Sequence, residues 1–574
     1  MAIITVVVAA WFILTFLIVP NVHLLLEVFE EDGRFSTGAW GRLFASDRAM
    51  SSLRNSVLLA VTLSLTVNAF GIFIVLVTKY FRIRGQRFLW LGFATNLIYG
   101  GIVLVAGYDF VYGSTGTLTK ALTTVIPAIP DDWFQGFPAV LYVMTFATTG
   151  NHLLFLTAAM ARVDQQTVES ATQMGASTWT VLRRVVLPVL KPTIFAITIL
   201  TFLSGLGALA APQILGGRSF QTIAPMILTF ANSPGSRDLA AALALILATF
   251  TIALLLIMNR IEKGGTYFSI SKVSSRLEPQ PIRHPVGNVI VHALAYLLLL
   301  IYVLPPLLIV IFSFTDAKAI STGTLRFDSF TLENYIQVVT DPVARWPFVV
   351  SIGYSGLAAL IVIIGLLFVV RIITLYRGRL GGALEYLLHI PWIMPGSMIA
   401  LGLLLTFSTP RALAGGQVLS GTLVILLIAF VIGKIPFTLR LLKASFLGIN
   451  RNMEEAASLL GASQFTTFRR IILPLVLPTA AAITALNFQT MLDDYDTAVF
   501  LAHPLYQPLG LFIRSATSGE TTADSTALVF VYTVLLMIIS GIAMWLVYGN
   551  GVSRLRRLVG RIARPTSPAK DTHR

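Results

Sequence analysis

The chain has 574 residues, 56% of them hydrophobic and only 12% charged, with a mean hydropathy of +0.81. Soluble domains run nearer ~25% charged, which argues against a cytoplasmic enzyme. The net charge is +15, and the absence of cysteine excludes disulfides, thiolate metal sites and a cysteine nucleophile.

A membrane helix needs about 20 apolar residues, and runs of that length predict twelve spans. Six lie near 2–26, 56–78, 88–112, 137–160, 190–212 and 239–258; six more lie near 287–313, 347–370, 383–407, 420–441, 475–500 and 526–549. The first run, AIITVVVAAWFILTFLIVP, has no basic stretch before it and no small-residue cleavage site after it. It therefore reads as a membrane helix and not as a removed signal peptide. If the N-terminus is inside, the even-numbered loops and the tail hold 28 Lys/Arg against 12 in the other loops. That excess predicts both termini on the cytoplasmic side. The basic tail, SRLRRLVGRIARPTSPAK, suits a membrane surface rich in anionic lipid and reads as a topology anchor. No nucleic-acid partner is expected.

Residues 169–192 (ESATQMGASTWTVLRRVVLPVLKP) and 455–478 (EAASLLGASQFTTFRRIILPLVLP) match at 11 of 24 positions without a gap, at a constant offset of 286. An offset of half the chain, with six spans in each half, predicts a tandem duplication with both copies in one orientation. The divisions expected are a first transmembrane domain (1–258), a polar linker (259–286), a second transmembrane domain (287–549) and a basic tail (550–574). The repeated loops, 161–190 and 447–476, each fall between the fourth and fifth spans of their half. Glu-x-Ala-x-x-x-Gly predicts a short helix with small Ala faces, ended by a glycine in the left-handed region. The arginine pair then makes a polar shoulder, and Leu-Pro opens the next span. The pattern predicts a helix–turn–helix knob lying along the membrane surface.

This pattern resembles the EAA loop of inner-membrane permeases of binding-protein-dependent ABC importers. The second copy matches closely; the first departs at Ser170, where the family has alanine. FTLENY (330–335) and PWIMPGSMIALG (391–402) in the second half support the same resemblance, and APQILGG (211–217) is similar to fused permeases of the ferric-iron type. The resemblance implies an all-α membrane protein of about twelve transmembrane helices in two tandem six-helix domains, like a type I ABC importer. It implies docking of each loop on one copy of a homodimeric ATP-binding subunit, with Glu169, Ala171, Gly175, Pro188, Glu455, Ala457, Gly461 and Pro474 as coupling residues. It also implies a periplasmic or lipid-anchored solute-binding protein and a bacterial inner-membrane location. No cofactor is expected in this chain; ATP and Mg belong to the partner ATPase. No G-x-x-x-x-G-K-[ST] loop occurs, the nearest approach being Gly433-Lys434-Ile435.

Ionisable residues inside spans are candidates for the solute path. Asp493, Asp494 and Asp496 in QTMLDDYDTAVFL, and Asp109 in GYDFVYG, are expected in the outer third of the eleventh and third spans. An acidic vestibule favours a cation. Lys434, placed near the inner end of the tenth span, is expected to snorkel or pair with a carboxylate. His152 and His389 read as core histidines. By the resemblance, ferric iron ranks first as solute, before 2-aminoethylphosphonate, thiamine or polyamines. The rival class is an ion-coupled secondary transporter, which leaves the duplicated loops unexplained.

Overall fold

The computed structural model describes residues 2–31, 34–233, 235–263, 277–375, 378–517 and 523–548. Residues 264–276 of the linker and the whole basic tail lie outside the described residues. Among the described residues the strands are confined to the hairpin Glu30–Glu31/Arg34–Phe35, and the remaining regular structure is helical.

Among the described residues, ten helices are long and apolar enough to cross a bilayer. In the first half these are Ile3–Glu27, Asp47–Tyr80, Phe137–Met160, Thr178–Leu206 and Arg237–Ile257. In the second half they are Pro285–Phe312, Pro342–Leu375, Leu423–Leu447, Gln464–Leu492 and Thr526–Ala543. Two further spans are broken. Gln86–Leu97 meets Gly101–Val125 at 113°, and Gly381–Trp392 meets Gly396–Phe407 at 102°. With each bent pair as one span the total is twelve, six per repeat.

The third and ninth spans, read from sequence as single apolar runs near 88–112 and 383–407, are thus bent pairs. Gly101 takes a φ of +53°, open to a residue without Cβ. At the second break, Pro395 lies outside helical geometry and Gly396 begins the next limb. The fifth and eleventh spans also start about 11 residues earlier than expected and end earlier, at Leu206 and Leu492. Ser177 and Ser463 start them by capping: each hydroxyl accepts from the backbone N–H three residues on, Thr180 and Thr466, at 3.2 Å. The polar run Asp-Asp-Tyr-Asp at 493–496 ends the eleventh.

The duplication extends beyond the loops. The second span recurs at an offset of 295, with Asp47 matched by Pro342 and Tyr80 by Leu375; the fourth and fifth recur at 286. The nine-residue difference falls between the break in the third span and the fourth span, where the first repeat carries the extra helix Thr117–Val125.

The repeats exchange their first spans. In the first span, Pro20 approaches Gly402 of the ninth so closely that a Cβ there would lie 3.4 Å from the Pro20 carbonyl oxygen. Phe16 packs on Phe407, and Trp11 donates to the Leu413 carbonyl at 3.2 Å. Reciprocally, Leu299 and Val303 of the seventh span lie against Gly92 of the third, and Tyr108 donates to the Ile301 carbonyl at 3.3 Å. Small residues permit such approaches between spans. Within the first repeat, a Cβ on Gly205 would come 2.7 Å from Ala60 Cα, which fixes the fifth span on the second.

Candidate functional site

The repeated loops fold alike. Gln165–Gln173 and Arg451–Leu459 are nine-residue helices opened by Asp164 and Asn450, whose side chains accept from the N–H of Gln166 and Asn452. Gly175 and Gly461 end them at φ +86° and +76°. Each end closes the same pair of bonds: Ala176 N–H to Ala171 C=O and Gly175 N–H to Thr172 C=O in the first, Ala462 to Ala457 and Gly461 to Ser458 in the second, all at 3.0 Å. These are the bonds of a glycine-terminated Schellman cap. Glu169 and Glu455 are exposed, Ala171 is half-buried and Ala457 is buried.

The next helix starts at Ser177 or Ser463 and runs through one widened turn, Leu182–Val186 in the first copy and Phe468–Ile472 in the second. The bond closing that turn spans five residues, from Leu187 N–H to Leu182 C=O and from Leu473 N–H to Phe468 C=O. Pro188 and Pro474 come directly after it. Proline has no N–H for the carbonyl four residues back and its ring crowds that carbonyl. The widened turn accommodates that defect, so the knob continues into the span without a break. Leu-Pro therefore does not open the span, as expected from sequence; it lies within a helix already under way.

One feature of the knobs escapes sequence reasoning. Their tips are bare hydrocarbon: Met174 is 82% exposed and Trp179 66%, and Leu459 and Leu460 are each 88% exposed. Met174 and Leu460 occupy equivalent places, as do Trp179 and the exposed Phe465. The available signal was that an apolar residue precedes each cap glycine and an aromatic follows each cap serine by two.

At their other ends, the fifth and eleventh spans lead to a junction of four irregular segments. Residues 97–101 and 394–396 are the breaks in the third and ninth spans. Residues 207–210 and 493–497 are the turns after the fifth and eleventh. Gln489 donates to the Leu97 carbonyl at 3.2 Å. Asp493 Oδ2 lies 3.0 Å from where a Gly101 Cβ would stand. Tyr495 donates to Gln213 Oε1 at 2.6 Å, so this turn reaches the first repeat. Gly396 faces Thr497 and Gly207 faces Pro395. Non-helical backbone at membrane depth is tolerated only where protein buries it or water reaches it.

The two sides of the junction differ in charge. Asp493, Asp494 and Asp496 lie in one turn; their equivalents at the 286 offset are Gly207, Ala208 and Ala210. Asp494 Oδ1 accepts from the Thr497 N–H at 2.9 Å, while Asp496 is exposed. Lys434, expected near the inner end of the tenth span, is instead near its middle, within electrostatic reach of Asp494 and Asp493. Asp109 stands eight residues beyond Gly101, roughly 12 Å along the helix at 1.5 Å per residue. His152 is fully buried and bonds Asn68 Oδ1 at 3.1 Å, and His389 bonds the Glu385 carbonyl at 2.8 Å. Among the described residues no three His, Asp or Glu side chains converge as metal ligands.

The family described as "Binding-protein-dependent transport system inner membrane component" matches residues 38–264 and 365–550. A probable ABC transporter permease protein, y4fN, of Sinorhizobium fredii is 40% identical over 93% of this chain and 94% of its own length. A putative ferric transport system permease protein of Haemophilus influenzae is 22% identical over 85% of this chain and 76% of its own. A spermidine/putrescine transport system permease protein, PotC, of Shigella flexneri is 33% identical over 31% of this chain and 67% of its own.

Proposed function

This chain belongs to the family of binding-protein-dependent transport system inner membrane components, and from that premise we propose how it is driven and what it carries. It is the permease subunit of an ABC importer and forms a translocation pathway. ATP hydrolysis belongs to a separate nucleotide-binding subunit, and a solute-binding protein serves the other face.

The proposed orientation puts both termini and both knobs in the cytoplasm, as the 28 to 12 distribution of Lys and Arg supports. Each knob seats on one subunit of an ATPase homodimer. Met174 with Trp179, and Leu459 and Leu460 with Phe465, fill its apolar grooves; Glu169 and Glu455 make the polar contacts. Exposed hydrocarbon of this extent on a polar face marks an interaction site. The observation that carries the mechanism is that one helix bears a knob at one end and a junction turn at the other, in both repeats. Closure of the ATPase dimer draws the knobs together. The fifth and eleventh spans then move as rigid levers, and the turns 207–210 and 493–497 shift against the broken spans. Packed interfaces convert such small shifts into discrete states.

The solute proposed is a cation, attracted by the carboxylates on one side of the junction. Ferric iron comes first, supported by the Haemophilus relative. A polyamine is the second reading: the carboxylates do not converge as a metal-ligand set, and an extended polycation needs only spaced charges. Reconstitution with the ATPase and binding protein separates these readings. M174S/W179S and L460S/F465S should release the ATPase subunit during purification, and uptake should follow either the iron-loaded or the polyamine-loaded binding protein. Retention of the ATPase by both variants would remove the docking role.

A further inference from the structure

The repeats are joined by a single linker, and its described end does not hang free. Residues 277–281 run along the first knob and fasten to it from both sides. The Glu278 N–H donates to Gln165 Oε1 at 3.0 Å, and the Gln165 amide in turn donates to Glu169 Oε1 at 2.8 Å. On the other side, the Thr178 hydroxyl donates to the Pro281 carbonyl at 3.1 Å. Between these points Gln280 pairs with the end of the second span: its N–H donates to the Tyr80 carbonyl at 2.7 Å and its carbonyl accepts from Arg82 N–H at 2.9 Å. The Tyr80 hydroxyl then donates to the Thr178 carbonyl at 2.9 Å, and Leu277 packs on the apolar cluster beneath the knob.

The second knob has no counterpart to this arrangement in its sequence. At the 286 offset, Gln165 becomes Arg451 and Thr178 becomes Gln464; at 295, Tyr80 becomes Leu375. The two side chains that fasten the linker, and the tyrosine whose hydroxyl bonds the Thr178 carbonyl, are therefore particular to the first repeat.

We propose that residues 277–281 are a permanent brace of the first knob, and that Gln165 is a positioning residue that transmits the brace to Glu169. The inference rests on the reading that the knobs dock an ATPase. A carboxylate on a solvent-exposed helix samples several rotamers; one that accepts from a buried amide, itself held by backbone, is pre-set for its partner. Ordering it in advance removes an entropic term from docking. The covalent join thus does more than tether the halves. It builds one side of a docking site, so the first knob is presented stiffly whatever the state of the ATPase.

The test uses the full complex of permease, ATPase and binding protein in proteoliposomes. Gln165→Ala removes both bonds while leaving the bare tips Met174 and Trp179 in place. The ATPase should still co-purify, and solute moved per ATP hydrolysed should fall roughly fivefold, the factor carried by about one net hydrogen bond. An unchanged ratio would overturn the proposal. A second measurement replaces the bond between Thr178 and Pro281 by a covalent link. Because the chain has no cysteine, Thr178→Cys with Pro281→Cys can be joined selectively by a short reversible thiol cross-linker. A brace that stays closed predicts undiminished uptake after cross-linking; uptake abolished by the link and restored by its cleavage would show a strap that must open, and would sink the proposal. M174S/W179S reports on the premise alone. If the ATPase is retained there, docking by the knob fails independently of what Gln165 shows.

Discussion

Arg371 holds Glu454 through two parallel hydrogen bonds of 2.9 and 2.7 Å, and the equivalent places in the first repeat hold Leu76 and Val168. Val168 is buried and Leu76 packs on the same cluster. Each knob helix is therefore anchored to the end of its own repeat's second long helix, once by a guanidinium–carboxylate fork and once by hydrocarbon. The side chains of the pair are 11% and 30% exposed, between the regimes in which exposed pairs contribute about 0–1 kcal/mol and breaking buried ones costs about 3–5 kcal/mol. E454V, which leaves Arg371 unpaired, should destabilise the permease by about 1–3 kcal/mol. The double variant R371L/E454V, which installs the first repeat's anchor, should recover to within about 1 kcal/mol of the parent. Thermal unfolding of the detergent-solubilised protein reads both. Equal losses in the single and double variants would show that the pair is not the anchor.

Gly71 and His152 form a size-matched pair that the second repeat reverses. A Cβ on Gly71 would stand 2.3 Å from the His152 ring, and the equivalents of these residues are Leu366 and Thr438, both buried. Gly71→Leu should disrupt the first repeat, since overpacking typically costs about 1–3 kcal/mol and more where nothing can move. Gly71→Leu with His152→Thr should restore folded yield, as size-exclusion chromatography would show. If the double variant aggregates like the single one, the two repeats do not share this packing.

Much of this architecture was legible in the sequence because bilayer-length apolar runs and a copied loop are strong, redundant signals. The breaks were not. Hydropathy is continuous through NLIYGGIVLV and PWIMPGSMIA, so a window that averages apolar character passes over Gly100-Gly101 and Pro395-Gly396 without registering a bend. The end of the eleventh span at Leu492 was signalled by Asp493-Asp494-Tyr495-Asp496, but a long apolar run on one side and Thr-Ala-Val-Phe-Leu on the other disguised a turn as helix. The bare knob tips were hidden for a different reason: Met, Trp and Leu at those spacings look like the buried stripe of an amphipathic helix, and only three-dimensional placement shows them uncovered among the described residues. The grouping of the four irregular segments depends on contacts between spans far apart in sequence, which no local pattern records.

Gly175 and Gly461 test whether the knob's sharp end matters mechanically. Both have left-handed φ values, and a Cβ would meet nothing within 4 Å at either. A substitution there is strained by backbone conformation alone, about 1–2 kcal/mol for an ordinary L-residue. Asparagine tolerates that region better than valine, whose branched side chain fits it poorly. G175N/G461N should keep ATP hydrolysis coupled to uptake, whereas G175V/G461V should hydrolyse ATP with little transport. The ratio of solute moved to phosphate released is the measurement. Matching ratios in the two variants would show that cap geometry has no part in coupling.

The carboxylates at the junction set the strongest expectation about the solute. Aspartate-to-asparagine changes preserve size and keep one oxygen able to accept a hydrogen bond; what is removed is charge. At about 6 Å and an effective dielectric near 20, one unit charge acts on another with about 3 kcal/mol. D493N/D496N should therefore lower uptake of a cationic solute at least tenfold, while the binding protein's own affinity stays unchanged because it holds the solute elsewhere. D109N should have a smaller effect, since Asp109 stands about two helical turns beyond Gly101. The reciprocal variant, A210D, adds a carboxylate to the uncharged side of the junction. It should strengthen retention of the cation and slow its release, seen as a lower maximal rate. Uptake that is indifferent to all three variants would take these residues off the path and leave the asymmetry of charge across the junction without a transport role.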